Sequence, residues 1–250
     1  MNKVKIILII AGMLLIVGVI GMVVTFSPYY EAGNIEESET KRLAEEDISA
    51  LQIKARNTNI YFQPAGETEP RIEYTATGRN VEQETFEHFM DGETLIIEIK
   101  RKLFNFFKVD LFFQSTSTLH VFLPAEEWEN IEASTINGSL EGERIDVSAL
   151  NVHSTNGRIM LDSISGDIEA QTTNGRIDIT TESLDQSMDL KTVNGGVTIH
   201  SNQKPNNVVL DLRTVNGSTK VFGTTDWDSM YGNGEHLIKA RTTNGSISIE

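Results

Sequence analysis

Nine residues near the middle of the chain, 100–108, read Lys-Arg-Lys-Leu-Phe-Asn-Phe-Phe-Lys. Lys100, Arg101, Lys102 and Lys108 bring four cations, and Phe104, Phe106 and Phe107 three rings, in a chain with a formal net charge of −15. Two chemistries suit that mixture. Cations interleaved with phenylalanines dock on anionic headgroups or polymers, the rings entering the apolar layer. Alternatively, the rings close the open end of a β core while the cations guard an edge strand.

The other reactive side chains are dispersed. His88, His120, His153, His200 and His236 follow no ligand spacing. Asp162, Asp167 and Asp178 stand near glycines, as in a calcium roll, but the Gly-Gly-x-Gly-x-Asp nonapeptide is absent. There is no Gly-x-Ser-x-Gly, His-Glu-x-x-His, Walker loop or Gly-x-Gly-x-x-Gly. No catalytic, cofactor-binding or metal residue is therefore assigned, and no cofactor is expected. A polysaccharide-acting enzyme would need two carboxylates flanking the bond, a convergence one sequence does not reveal. The absence of cysteine excludes disulfides, thiolate metal sites and a cysteine nucleophile. The acidic balance argues against nucleic acid, whose phosphates need a basic surface.

What must position these residues is a repeat. Asn-Gly occurs seven times in the last 114 residues. Six copies share a setting, with Thr or Ser two before the Asn in every one: Asn137-Gly138, Asn156-Gly157, Asn174-Gly175, Asn194-Gly195, Asn216-Gly217 and Asn244-Gly245, spaced 19, 18, 20, 22 and 28 residues apart. A weaker copy at Ser165-Gly166 halves one period, so the unit is one short strand plus one turn. The last gap is widened by an insertion, Gly223 to Gly234, which ends in the seventh Asn-Gly.

Two architectures compete. Asn-Gly at positive φ makes type I′ hairpins and an antiparallel meander sandwich. Alternatively, each Asn-Gly is a corner of a β-solenoid, in which coils stacked about 4.8 Å apart align like residues into hydrogen-bonding ladders. The recurrent threonine favours the solenoid. Period-two alternation turns Ile168, Ala170, Ile177, Ile179, Met188, Leu190, Val197, Ile199, Val208, Leu210, Leu212, Ile247 and Ile249 inward. Residues 49–131 form an N-terminal β region, with a strand expected at Val109–Phe113 and one short helix at Val81–Met90. Residues 132–250 form the Asn-Gly repeat region.

Residues 6–26 carry no charge over 21 positions, enough for one helix across a hydrocarbon core about 30 Å thick. Lys3 and Lys5 precede that segment and acids follow it, which puts residues 1–5 in the cytoplasm and the bulk of the chain outside. No Ala-x-Ala cleavage pattern follows, so the segment reads as a signal-anchor. Residues 27–48 are rich in glutamate and read as an acidic stalk.

A single tether, an acidic stalk, Leu119-His120-Val121-Phe122-Leu123-Pro124 and the repeated Thr-x-Asn-Gly-x-Ile together resemble the LiaG-like putative adhesin family of Gram-positive bacteria, over residues 4–250. The resemblance implies a cell-surface protein, sometimes associated with envelope stress, and transfers no functional residue. The expectation is thus an all-β, single-pass membrane protein that binds or scaffolds an envelope polymer or membrane-protein partner without catalysis. An accessory role in an envelope-stress sensing system is the alternative.

Overall fold

The computed structural model describes residues 5, 11–21, 35–43, 48–78, 84–101, 116–124 and 127–250. Residues 11–21 are helical and exposed. Among the described residues no helix is long and apolar enough to cross a membrane.

The rest is strand: β1 (Ile35–Arg42), β2 (Ala50–Lys54), β3 (Thr58–Pro64), β4 (Arg71–Gly78), β5 (Glu84–Asp91), β6 (Thr94–Arg101), β7 (Thr116–Leu123), β8 (Trp128–Thr135), β9 (Leu140–Ile145), β10 (Val147–Ser154), β11 (Ile159–Ile164), β12 (Asp167–Thr172), β13 (Ile177–Thr181), β14 (Met188–Lys191), β15 (Val197–Ser201), β16 (Val208–Asn216), β17 (Thr219–Val221), β18 (His236–Asn244) and β19 (Ile247–Ile249). They form a ten-stranded sheet in the order β1-β4-β7-β3-β9-β11-β13-β15-β19-β17 and a nine-stranded sheet in the order β16-β18-β14-β12-β10-β8-β2-β6-β5.

Each coil contributes one strand to each sheet, and neighbouring coils pair in parallel and in register, as in Ile159 between Leu140 and Ile177. Antiparallel pairing between named strands is confined to β1·β4, β4·β7 and β5·β6 at one end of the stack. The architecture is therefore solenoid-like, and the antiparallel meander is set aside. A meander would have paired strands adjacent in sequence, whereas here every parallel pair joins strands from different coils.

Between the sheets lies a single aliphatic core. Ile60, Leu95, Leu140, Leu150, Ile159, Ile177, Leu190 and Ile199 are all fully buried. Of the thirteen positions read as inward, twelve are buried and Leu212 packs against the core partly buried.

Coil order departs from chain order at both ends. The final coil, β18–β19, sits between β14–β15 and β16–β17, and near the start β2–β3 sits between β6–β7 and β8–β9. The insertion at 223–234 gives the chain the length to return inward. It folds back on β16, where Leu210 N–H donates to Ser229 C=O at 2.8 Å.

Three segment readings need revision or fall outside the described residues. The described part of the segment read as a helix, Val81–Met90, is strand: Glu84–Asp91 is an edge strand paired with β6. Its one buried residue, Phe86, stacks on Tyr74 with ring centroids 5.3 Å apart, so one tertiary contact and a cross-strand ladder outweigh local propensity. The segment read as a stalk, 27–48, contributes β1, whose acids lie along a ladder with β4. The strand expected at Val109–Phe113 lies outside the described residues.

Candidate functional site: the outer face of the ten-stranded sheet

The corners hold the site rigid. Asn57, Asn137, Asn156, Asn174, Asn194, Asn244 and Asn216 form one continuous ladder, each side-chain amide from Asn137 onward donating to the side-chain carbonyl oxygen of the asparagine before it at 2.7–2.8 Å. A second ladder lies just inside it. Ser154, Thr172, Thr192, Thr242 and Thr214 donate their hydroxyls to the carbonyls of Gly138, Gly157, Gly175, Gly195 and Gly245 at 2.7–2.9 Å. Thr135 opens that series on Thr58 C=O at 3.1 Å. Most of these hydroxyls are buried, and every one has its acceptor in the neighbouring coil.

The glycines are there for proximity. None of the six has positive φ. Instead, a Cβ on Gly157 would sit 1.7 Å from Gly138 O, and one on Gly138, Gly175, Gly195, Gly217 or Gly245 would sit 1.8–2.0 Å from the corresponding oxygen. Stacked coils bring backbone onto backbone at this corner and leave no room for a side chain. At the opposite corner the left-handed residues are Arg144 and Ser163 (φ 50° and 56°) and Gly166 (φ 76°).

On this frame the outward residues of β3, β9, β11, β13 and β15 form rows across the ten-stranded sheet. One row runs Tyr61, Glu141, Met160, Asp178 and Thr198; the next runs Gln63, Glu143, Asp162, Thr180 and His200. Together they line an open groove of about 640 Å³. Tyr61 is its end wall. It stacks on His120 of β7 at 4.9 Å, His120 lies 6.2 Å from Phe122, and Arg71 caps Phe122 at 3.8 Å. On the groove side Tyr61 is followed by Glu141, a side chain without a ring. Arg158 clasps Asp178 at 2.7 Å across two strands. His120 Nδ1 is buried without a partner among the described residues.

Such a surface offers an aromatic wall, carboxylates, amides and hydroxyls at the strand repeat. That suits contact with a hydroxyl-rich polymer over several coils. Among the described residues no three His, Asp or Glu side chains are grouped to hold a metal. Elsewhere in the fold, Tyr74 and Asp211 are shifted. Burial first, and then its hydrogen bond to Glu84 at 2.8 Å, push the Tyr74 phenol up. For Asp211, burial acts upward but hydrogen bonds from Arg213 and Arg241 outweigh it and hold the carboxyl below the usual aspartate range.

Of the basic-aromatic patch, only Lys100 and the Arg101 backbone fall among the described residues. Lys100 ion-pairs with Glu98 and with Glu87 (3.3 Å), and those hydrogen bonds raise its pKa. Lys102, Phe104, Phe106, Phe107 and Lys108 lie outside the described residues. Sequence reasoning missed the Tyr61 groove. Alternation in Asn59-Ile60-Tyr61-Phe62 marks Tyr61 as outward, but its neighbours are 59 and 80 residues away and only the register joins them.

Two stacked sheets with ladder-bonded corners define a solenoid-like class of all-β protein. The chain belongs to the Toastrack DUF4097 family, whose profile matches residues 48–152 and 129–250. Among solved structures it is similar to a putative cell adhesion protein from Clostridium sporogenes ATCC 15579, with 14% identity over 86% of this chain and 99% of that one and a TM-score of 0.50. It is also similar to a putative adhesin from Bacteroides fragilis NCTC 9343, with 12% identity over 86% and 97% of the chains and a TM-score of 0.40. The first speaks to fold alone. No curated protein matches the chain.

Proposed function

We propose that this is a single-pass membrane protein whose β-solenoid stands outside the cell and binds an envelope polymer, without catalysis, through the outer face of the ten-stranded sheet. The observation that carries the reading is the groove bounded by Tyr61, set on a sheet whose corners are fixed by two hydrogen-bonded ladders. A rigid row of polar groups contacts a regular polymer with little ordering cost. The absence of catalytic motifs and a fold shared with a putative cell adhesion protein support binding over chemistry. The tether is supported by exposed Leu14 and Leu15 on the helical segment 11–21 and by Lys3 and Lys5 ahead of it. The finer kinship, with LiaG-like proteins of Gram-positive bacteria, rests on that tether and on the Thr-x-Asn-Gly corners.

Co-sedimentation of the detergent-solubilised full chain with isolated peptidoglycan and with neutral cell-wall polysaccharide tests the binding. An aromatic wall worth about 1 kcal/mol predicts a roughly fivefold loss of affinity in Tyr61→Ala. Equal retention of wild type and Tyr61→Ala on every polymer that binds would remove the groove from the account. Protease digestion of intact cells checks the location separately, and protection of residues 132–250 would refute an extracellular solenoid.

A further inference from the structure

Among the described residues the nine-stranded sheet has a free edge at each end of the stack, and the two edges differ. At one end β16 is covered only in part. In the inner coils an inward-facing residue donates its N–H to the next coil, as Trp128 does to Asp146 C=O and Ile168 to Ser187 C=O, both at 3.0 Å. In β16 the insertion takes over that role for Val208, whose N–H donates to Tyr231 C=O at 3.0 Å, and for Leu210. Beyond Leu210 the cover ends. Leu212 and Thr214 turn their N–H groups to the open side, and Val215, 74% exposed, stands beside them.

At the other end β5 pairs, among the described residues, only with β6. The β5–β6 hairpin closes at Asp91 and Thr94 over Gly92-Glu93, so Asp91, Phe89 and Glu87 bond to β6. His88 and Met90 then present their backbone groups to the open side. Phe89 is 47% and Met90 37% exposed. Unprotected edges with exposed apolar side chains are sites where another strand adds.

We infer that these two edges are complementary and that a second copy of this chain docks head to tail, its β5 adding to β16 in antiparallel fashion. Faces, backbone phase and charge agree in one register. Asp91 then lies opposite Arg213, whose side chain is 70% exposed, and Phe89 lies opposite Val215. Met90 meets Thr214 on the inner face, where both strands have free backbone groups. The partner is a second copy because both edges terminate the same sheet and opposite charges meet. Two β16 edges paired with one another would face Arg213 with Val215. The contact is heterologous and repeats from copy to copy. It goes beyond polymer binding and is independent of it, since the groove is on the other sheet.

The chain has no cysteine, which makes the test direct. Full-length Phe89→Cys protein is mixed in detergent with full-length Val215→Cys protein under mild oxidation. A non-hydrogen-bonded antiparallel pair has Cα atoms about 4.5 Å apart, within disulfide range. The expected product is the mixed disulfide dimer, formed severalfold faster than by Val215→Cys protein mixed with Ser148→Cys protein, since Ser148 is exposed but lies away from both edges. Arg213→Glu in the Val215→Cys chain should slow it severalfold, and Asp91→Arg in the Phe89→Cys chain should restore it. All substituted side chains are exposed, so folding is not at issue. A mixed yield no higher than the Ser148 control, or predominance of Val215→Cys homodimers, would overturn the inference.

Discussion

Replacing Gly157 by alanine should be far more damaging than the addition of one methyl group at a corner suggests. The new Cβ would lie 1.7 Å from Gly138 O, where carbon contacts settle at about 3.5 Å. The coils would have to part locally by about 1.8 Å, more than a third of the spacing of about 4.8 Å between strands. That opening removes three hydrogen bonds between the same two coils: Ser154 Oγ to Gly138 O (2.9 Å), Asn156 Nδ2 to Asn137 Oδ1 (2.7 Å) and Asn156 N to Ile136 O (2.8 Å). At about 1 kcal/mol each the loss is about 3 kcal/mol, or a fall of about 6–12 °C in Tm. Gly66→Ala is the control. Gly66 has φ +62° with nothing within 4 Å of a Cβ, so alanine there meets only backbone strain of about 1 kcal/mol. Urea and thermal unfolding of both variants give the comparison. Equal effects, or a smaller one for Gly157→Ala, would mean that close stacking is not what the corner glycine serves.

Other consequences are equally specific. Asn156→Ala loses a donated and an accepted rung, Asn216→Ala only the donated one, so urea unfolding should show about 2 against about 1 kcal/mol. The Tyr74 phenol is pushed up, so the stability it brings is complete below its unfolded pKa of about 10 and fades as pH rises beyond it. Alkaline denaturation should therefore steepen above about pH 10 in wild type, and Tyr74→Phe should flatten that limb. The Asp211 carboxyl is held low, so its contribution is present above the unfolded aspartate pKa of about 4 and is lost as pH falls through the lower folded value. Asp211→Asn should lower the unfolding midpoint slightly at neutral pH, and the difference should vanish in acid.

The stack was legible because its chemistry is periodic. Six Asn-Gly pairs with a hydroxyl residue close before them exposed the coil length, and β-branched alternation named the buried positions from Ile168 to Ile249. The conformational reason for the glycine was not legible. A hairpin glycine at positive φ and a glycine pressed against a neighbouring backbone look the same in one sequence, and only Gly138 O beneath Gly157 separates them. Coil order was hidden for a similar reason. Nothing in Thr242-Thr243-Asn244-Gly245 says that it bonds to Asn194 and not only to Asn216. The Tyr61 groove was invisible because its lining comes from strands joined by register alone. Phe86, stacked on Tyr74, sits in an edge strand where the sequence suggested a helix.

One cross-linking comparison tests the stacked-corner architecture most directly. Asn194 and Asn244 are neighbours in the ladder although 50 residues apart, whereas Asn194 and Asn216 are separated by the Asn244 coil. In this cysteine-free chain, Asn194→Cys/Asn244→Cys should form an intramolecular disulfide readily, and Asn194→Cys/Asn216→Cys should not. Rapid closure of the 194–216 pair with none for 194–244 would contradict the account, because it would put the coils in simple chain order.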